Sequence, residues 1–249
     1  MRVIPMLLLG PEGLVKTVKM EAPRYIGDPI NAVRIFTDKA ADEIIIIDRE
    51  ASAGKPIRYG FIETIVSEAL MPVAYAGGVQ SVEQAARLLQ VGVEKIVLNA
   101  GLQNPDLLPT LSARFGASTM VAAVDIQKNW LGKWRVHFRQ GKETAAVAPA
   151  EFCRQVAAAG AGEILLHAIG HDGCMQGYPI EVMSDLAAQV PVPVIAAGGA
   201  GSLQHMQALA ASSRIRAFAA GSLFVYYGPH RAVLINYPEP NSILRTFAG

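Results

Sequence analysis

The sequence predicts an α/β protein, a single (β/α)8 (TIM) barrel spanning residues 1–249 and built from two similar (β/α)4 halves. Three observations carry that expectation: eight short apolar runs without alternation, amphipathic stretches between them, and an internal repeat. The repeat sets Ala76-Gly77-Gly78-Val79-Gln80-Ser81 against Ala197-Gly198-Gly199-Ala200-Gly201-Ser202, an offset of about 121 positions that marks a doubled unit.

The runs fall at residues 3–9, 43–48, 72–76, 95–99, 120–125, 163–167, 192–197 and 216–220. Continuous apolar character of this length is what a strand shows when both of its faces are buried, as in parallel sheets. Between the runs lie helical patterns such as 81–90, where Ser81 and Gln84 form a weak capping box ahead of Ala85, Ala86, Leu88 and Leu89. The repeat offset also relates Glu43-Ile44-Ile45 to Glu163-Ile164-Leu165 and Leu98-Asn99-Ala100 to Ala219-Ala220-Gly221. Four units, doubled, make eight strands, which favours a closed barrel over an open doubly wound sheet.

Composition narrows the function classes. At 51% hydrophobic and 17% charged, the 249 residues bury a large core. Lys plus Arg (22) nearly balances Asp plus Glu (21), so no overall field favours nucleic acid or an anionic membrane, and any anion site must be local. Cys153 and Cys174 are too few for a disulfide framework, and no secretion signal opens the chain, so a reducing cytoplasm is expected. The longest apolar stretches, 44–47 and 191–197, fall far short of the roughly 20 residues that span a bilayer, so no membrane insertion is expected.

Each half places a Gly-Gly pair at a strand's C-terminal end, followed about twenty residues later by a second small polar turn. Glycine there lets backbone N–H groups approach an anion closely. The candidate phosphate-binding residues are Gly77, Gly78 and Asn99 in the first half, and Gly198, Gly199, Gly221 and Ser222 in the second, with Asp172-Gly173 on a neighbouring loop. Tight turns alone also call for glycine, but the duplication favours two phosphate sites across one mouth, and hence a substrate with phosphate at both ends. Asp48 and Asp125, read as ending strands two and five, are the catalytic candidates; Asp125 would serve as general acid or base, with loop capping as the alternative. Strand one carries no ionisable group at its top. At the opposite ends of the strands stand Arg2, Glu43, Lys95 and Glu163, which either close the barrel floor as a ring of alternating charge or form a solvated rim. Lys95 with Asn99 and Glu163 with His167 are each four apart and share a face. His167, His171, Asp172 and Cys174 lie at a strand end and in a loop, and neither a metal nor a cofactor is expected.

The Gly-Gly turns, Asn99, Asp125, the run 160–166, Asp172-Gly173 and Gly198-Gly199-Ala200-Gly201 resemble the cyclase barrel of imidazole glycerol phosphate synthase along nearly the whole chain. The resemblance implies a glutaminase docked on the barrel floor, ammonia passing through the interior, and a phosphorylated small-molecule substrate at the top. It also implies that Arg2, Glu43, Lys95 and Glu163 form the ammonia gate. One departure is informative: the family's two catalytic aspartates correspond to Leu8 and Asp125, and leucine moves no proton. Efficient cyclisation is therefore not expected. Ala76 stands in a turn where the family tends to have glycine, and Ala100 replaces a hydroxyl residue, so the first phosphate site is expected to bind more weakly than the second.

Segments 7–9, 14–19, 23–36 and 230–238 are similar to a branch associated with glycosyl amidation in surface polysaccharide pathways. That similarity implies a further partner, a sugar amidotransferase, and nitrogen delivered for an acetamidino group. Within it, Gly170-His171-Asp172-Gly173-Cys174 departs from the branch's usual Asp-Arg-Asp-Gly-Thr, which weakens the second phosphate site. Two alternatives stand beside this reading: a histidine-pathway cyclase subunit, and a scaffold that binds a glutaminase without conducting ammonia.

Overall fold

The computed structural model describes residues 1–248. Eight strands form the barrel: β1 (Arg2–Leu9), β2 (Ile44–Asp48), β3 (Val73–Ala76), β4 (Lys95–Leu98), β5 (Met120–Lys128), β6 (Glu163–Ala168), β7 (Val194–Ala197) and β8 (Ala217–Ala220). Each pairs in parallel with its neighbours in chain order. The sheet closes because β8 returns to β1, with Arg2 opposite Ala217 and Pro5 opposite Ala220. Around it run α1 (Pro29–Asp38), α2 (Arg49–Ser52), α3 (Tyr59–Val66), α4 (Val82–Gln90), α5 (Leu107–Phe115), α6 (Pro149–Ala158), α7 (Ile180–Ala188), α8 (Leu203–Ser212) and α9 (Pro240–Ala248).

Alternate residues of every strand enter different cores, which is why the strands read as unbroken apolar runs. Ile4, Met6, Ile45, Ala74, Val97, Val121, Ala123, Leu165, Ile195, Ala197, Ala217 and Ala219 fill the barrel interior. Their neighbours Val3, Leu7, Ile44, Ile46, Tyr75, Ile96, Ile164 and Phe218 pack outwards beneath the helices. Five alanines among the interior twelve keep the bore narrow and wholly apolar.

The repeated Gly-Gly-x-x-Ser segments fold alike. Ser81 caps α4 in a complete capping box, accepting from Gln84 N–H while Gln84 Oε1 accepts from Ser81 N–H. Ser202 caps α8 by accepting from His205 N–H, and His205 Nδ1 accepts from Gly201 N–H, so imidazole stands where the first half uses an amide.

Two hairpins depart from the expected plan. Leu14–Val18 and Glu21–Gly27 form an antiparallel hairpin continuing from β1. β5 does not end at Asp125 but runs three residues further, to Lys128, and pairs with Trp134–Phe138, Asp125 lying opposite His137. Periodicity within one segment could not reveal either extension, because both are held by partners from a neighbouring segment of chain.

Candidate functional site

At the floor, Arg2, Glu43, Lys95 and Glu163 converge. Strand parity brings them together: each is the lowest inward position at the foot of its strand, Glu43 standing one residue before β2, and each lies two residues below the first interior apolar side chain. Arg2 Nη1 donates to Glu43 Oε2 at 2.8 Å and Arg2 Nη2 pairs with Glu163. Lys95 Nζ lies 3.0 Å from Glu43 Oε2 and 3.0 Å from Glu163 Oε2, which closes a ring in which every charge meets two of opposite sign. Glu43 is the most buried, its side chain 3% exposed, and Arg2 the most open, at 32%. Burial would lower the Arg2 pKa, but Glu163 and Glu43 raise it, so the guanidinium stays charged.

At the other end, Asp125 and His167 point inward, in register on adjacent strands. His167 is 4% exposed; its Nδ1 lies 3.4 Å from Asp125 Oδ1 and its Nε2 3.5 Å from Asp172 Oδ1. Burial alone would lower the His167 pKa, yet the two carboxylates, by hydrogen bonding and charge, raise it to about 10. The imidazole is thus a cation shared between two carboxylates. Asp172 is held below the usual carboxylate range despite burial, by His167, Lys16 and Thr17. Leu8, on the inward face of β1, is 3% exposed and adds no ionisable group.

Asp48 does not join them. It lies an odd number of residues from Glu43 and so faces outwards, where it is fully buried. Its Oδ1 accepts from the N–H groups of Glu50 and Ala51, both at 3.0 Å, capping α2, and Oδ2 lies 3.4 Å from Tyr75 Oη. A strand-end aspartate expected to be catalytic is here a helix cap.

The proposed phosphate residues differ in accessibility. Gly77, Gly78, Asn99, Ala100 and Gly101 line a cavity of about 70 Å³ together with Asp125, Arg139, Gln140 and His167. The Asn99 side chain is not free within it: Nδ2 donates to Ala123 O and His137 O, and Oδ1 accepts from Arg139 N–H at 3.1 Å. In the second half, the chain covers its own turn. A Cβ on Gly199 would strike Gly177 O, one on Gly173 would strike Thr17 O, and one on Gly221 would strike Lys16 Nζ. Lys16 Nζ donates to Met6 O at 3.0 Å, and burial lowers its pKa to about 8, against the pull of Asp172. Lys19 N–H bonds Asp172 O at 2.8 Å, so the first hairpin is pinned across this side of the mouth. Ser222 is buried. Small-molecule sites usually occupy roughly 300–1,000 Å³, so the cavity over the first half is smaller than a whole site of that kind.

Nothing in the sequence singles out Lys16 or Arg139, and His167 stands out there only for the face it shares with Glu163 and for its nearness to His171, Asp172 and Cys174. The inward parity of His167 was legible from Glu163, four residues before it; the approach of Lys16 and Arg139 depends on hairpins and left no local signal. Among the described residues no group of three or more His, Cys, Asp or Glu side chains is placed to hold a metal ion, and no helix is long and apolar enough to cross a membrane.

Over residues 2–230 the chain matches the family described as histidine biosynthesis protein. A Leptospira interrogans protein provisionally named imidazole glycerol phosphate synthase subunit HisF is 43% identical over 241 residues, covering 96% of this chain and 95% of the relative. The Pseudomonas aeruginosa protein provisionally named as subunit hisF2 is 41% identical over 244 residues, with 97% of each chain covered. One from Vibrio vulnificus, provisionally named as subunit hisF3, is 43% identical over 243 residues, covering 96% of this chain and 94% of the relative. With a closed barrel of two like halves and similarity over nearly its full length, the chain belongs to the histidine biosynthesis protein family, as a HisF-like barrel subunit.

Proposed function

We propose that the protein conducts ammonia for a glutamine-dependent amidation system. A glutaminase docks on the floor, ammonia enters through the ring of Arg2, Glu43, Lys95 and Glu163, passes the apolar bore, and emerges beside Asp125 and His167. The observation that carries this reading is the closed ring: four ionisable side chains drawn from four strands meet on the barrel axis below a bore lined only by apolar groups. Such a bore passes a neutral molecule and resists an ion. Lys95 is the natural moving part, since both cations meet the same two carboxylates but a flexible ammonium stem leaves the ring with less disruption than the planar fork of a guanidinium. The acceptor is a phosphorylated small molecule at the mouth. Its finer identity, an acetamidino sugar precursor of surface polysaccharide handled with a sugar amidotransferase in the cytoplasm, rests on segments 14–19, 23–36 and 230–238.

A second reading, the cyclase subunit of histidine biosynthesis, is favoured by the names of the relatives. Against it stand Leu8, where a second carboxylate is expected, and His167, which engages Asp125. Proton transfer by a positioned side chain contributes typically 10²–10⁴-fold. Purified protein supplied with ammonium and the cyclase substrate is therefore expected to turn over at least about a hundredfold more slowly than a two-aspartate cyclase. Comparable turnover would establish the cyclase reading and end the amidation one.

A further inference from the structure

The cavity over the first half holds a cation that the glycine pattern does not announce. Arg139 sits at the end of the second hairpin with φ +53, a left-handed conformation uncommon for arginine. Asn99 holds it there: Oδ1 accepts from the Arg139 N–H at 3.1 Å, while Nδ2 bonds His137 O two residues earlier. Arg139 thereby lines one cavity with Gly77, Gly78, Ala100 and Gly101. Among the described residues the guanidinium donates no hydrogen bond; its carboxylate contact is Nε to Glu143 Oε1 at 3.0 Å, a pair more than two-fifths exposed on both sides. Glu143 is in turn held by Gln103 Nε2 at 2.9 Å, from the turn that follows β4. In the lining of the same cavity, the backbone N–H groups of Gly77, Gly78 and Val79 donate no hydrogen bond among the described residues. Gly78 has no room for a side chain, since a Cβ would lie 2.5 Å from Ala51 O, and its φ of +66 turns the backbone into a left-handed bend.

The geometry points to Arg139 as the charge of a phosphate site in the first half, where the guanidinium and the N–H groups of the Gly77-Gly78-Val79 turn grip one phosphate group between them. This rests on the reading of the mouth as a site for a phosphorylated substrate, and it reverses the ranking expected from sequence. Ala100 removes a hydroxyl from the first site, but a planar, permanently charged guanidinium replaces it with a stronger partner for phosphate oxygens. The second site, meanwhile, is covered by the protein's own Lys16 and by the loop carrying Gly173 and Gly177. Asn99 then acts as a positioning residue, setting the backbone from which Arg139 reaches, and does not itself grip the ligand.

The test is titration of the full-length, 15N-labelled protein with inorganic phosphate, and separately with glycerol phosphate, at constant ionic strength maintained with chloride. Saturable shifts are expected at Gly77, Gly78 and the Arg139 Nε–H. Arg139→Gln should weaken binding about tenfold or more, the loss expected of a charge-assisted hydrogen bond, and Arg139→Lys should fall between. Glu143→Gln should tighten it by about twofold, because it frees the guanidinium from a competing, largely screened carboxylate. An unchanged urea midpoint shows that each variant remains folded. Shifts clustered at Gly199, Gly221 and Ser222, equal affinity in Arg139→Gln, or no saturable binding in the wild type would each overturn the assignment. None of these outcomes depends on ammonia conduction, which is measured separately.

Discussion

Replacing Lys95 by methionine keeps the stem and removes the charge, which isolates the electrostatic part of the floor ring. In the wild type, Nζ lies within 3.1 Å of both Glu43 oxygens and 3.0 Å from Glu163 Oε2. Two unit charges about 3 Å apart at an effective dielectric constant of ~20 attract by about 5 kcal/mol before desolvation. The Lys95 and Glu163 side chains are only 18% and 13% exposed, so desolvation cancels much of this. A net coupling of about 1–3 kcal/mol remains, above the 0.2–1 kcal/mol of an exposed pair. Lys95→Met alone leaves two carboxylates sharing Arg2, and should cost about 2–4 kcal/mol, less than the 3–5 kcal/mol of breaking a fully buried pair. For a chain of this size that lowers Tm by roughly 5–15 °C. Adding Glu163→Gln should restore part of the loss, and urea unfolding of the four proteins gives the coupling directly. A coupling below about 0.5 kcal/mol would show that the ring is an exposed rim and refute the reasoning. In a system reconstituted with the proposed glutaminase, the same substitution should alter glutamine-dependent product formation relative to ammonium-dependent formation.

Asp48→Ala removes two N-cap bonds and strands the Tyr75 hydroxyl, so it should destabilise by about 2–4 kcal/mol in urea unfolding, with ammonium-dependent activity per folded molecule unchanged. His167 has a folded pKa of about 10, above its unfolded value, so the stability it contributes is full below about pH 6.5 and is lost as pH rises towards 10. Lys16, lowered to about 8, acts in the opposite sense, its penalty relaxing between about pH 8 and 10.5. The difference between wild type and His167→Gln should therefore fall across that window, and imidazole NMR should find His167 protonated at pH 8.5; an ordinary midpoint near 6.5 would contradict the two-carboxylate arrangement. Gly221→Ala has an ordinary backbone φ of −107 but places its methyl on Lys16 Nζ, so it should displace the first hairpin and speed proteolysis at Lys16 and Lys19; unchanged cleavage would show that the hairpin does not depend on that contact.

What the sequence determined by itself is everything that depends on burial and period. Strands buried on two faces must be apolar throughout, so the eight runs and their order were readable, and a doubled Gly-Gly-x-x-Ser segment had to recur at matching places in the two halves. Period two put Lys95 and Glu163 on the same faces as Asn99 and His167 and sets Asp48 on the face opposite Glu43, but because both faces of every strand are apolar it left open whether Arg2, Glu43, Lys95 and Glu163 close a ring or form a solvated rim. What only the tertiary structure decided is what covers the mouth and how its charges pair. The first hairpin, carrying Lys16 to Gly221, is fixed by its contacts with the loop at Asp172, more than 150 residues away. His167 becomes a shared cation only because the registers of β5 and β6 set it beside Asp125 while the following loop folds Asp172 onto its other nitrogen. Arg139 reaches the first-half cavity because Asn99, forty residues earlier, holds its backbone in a left-handed turn. Each of these depends on distances between segments remote in sequence, and a local pattern carries no measure of such distances.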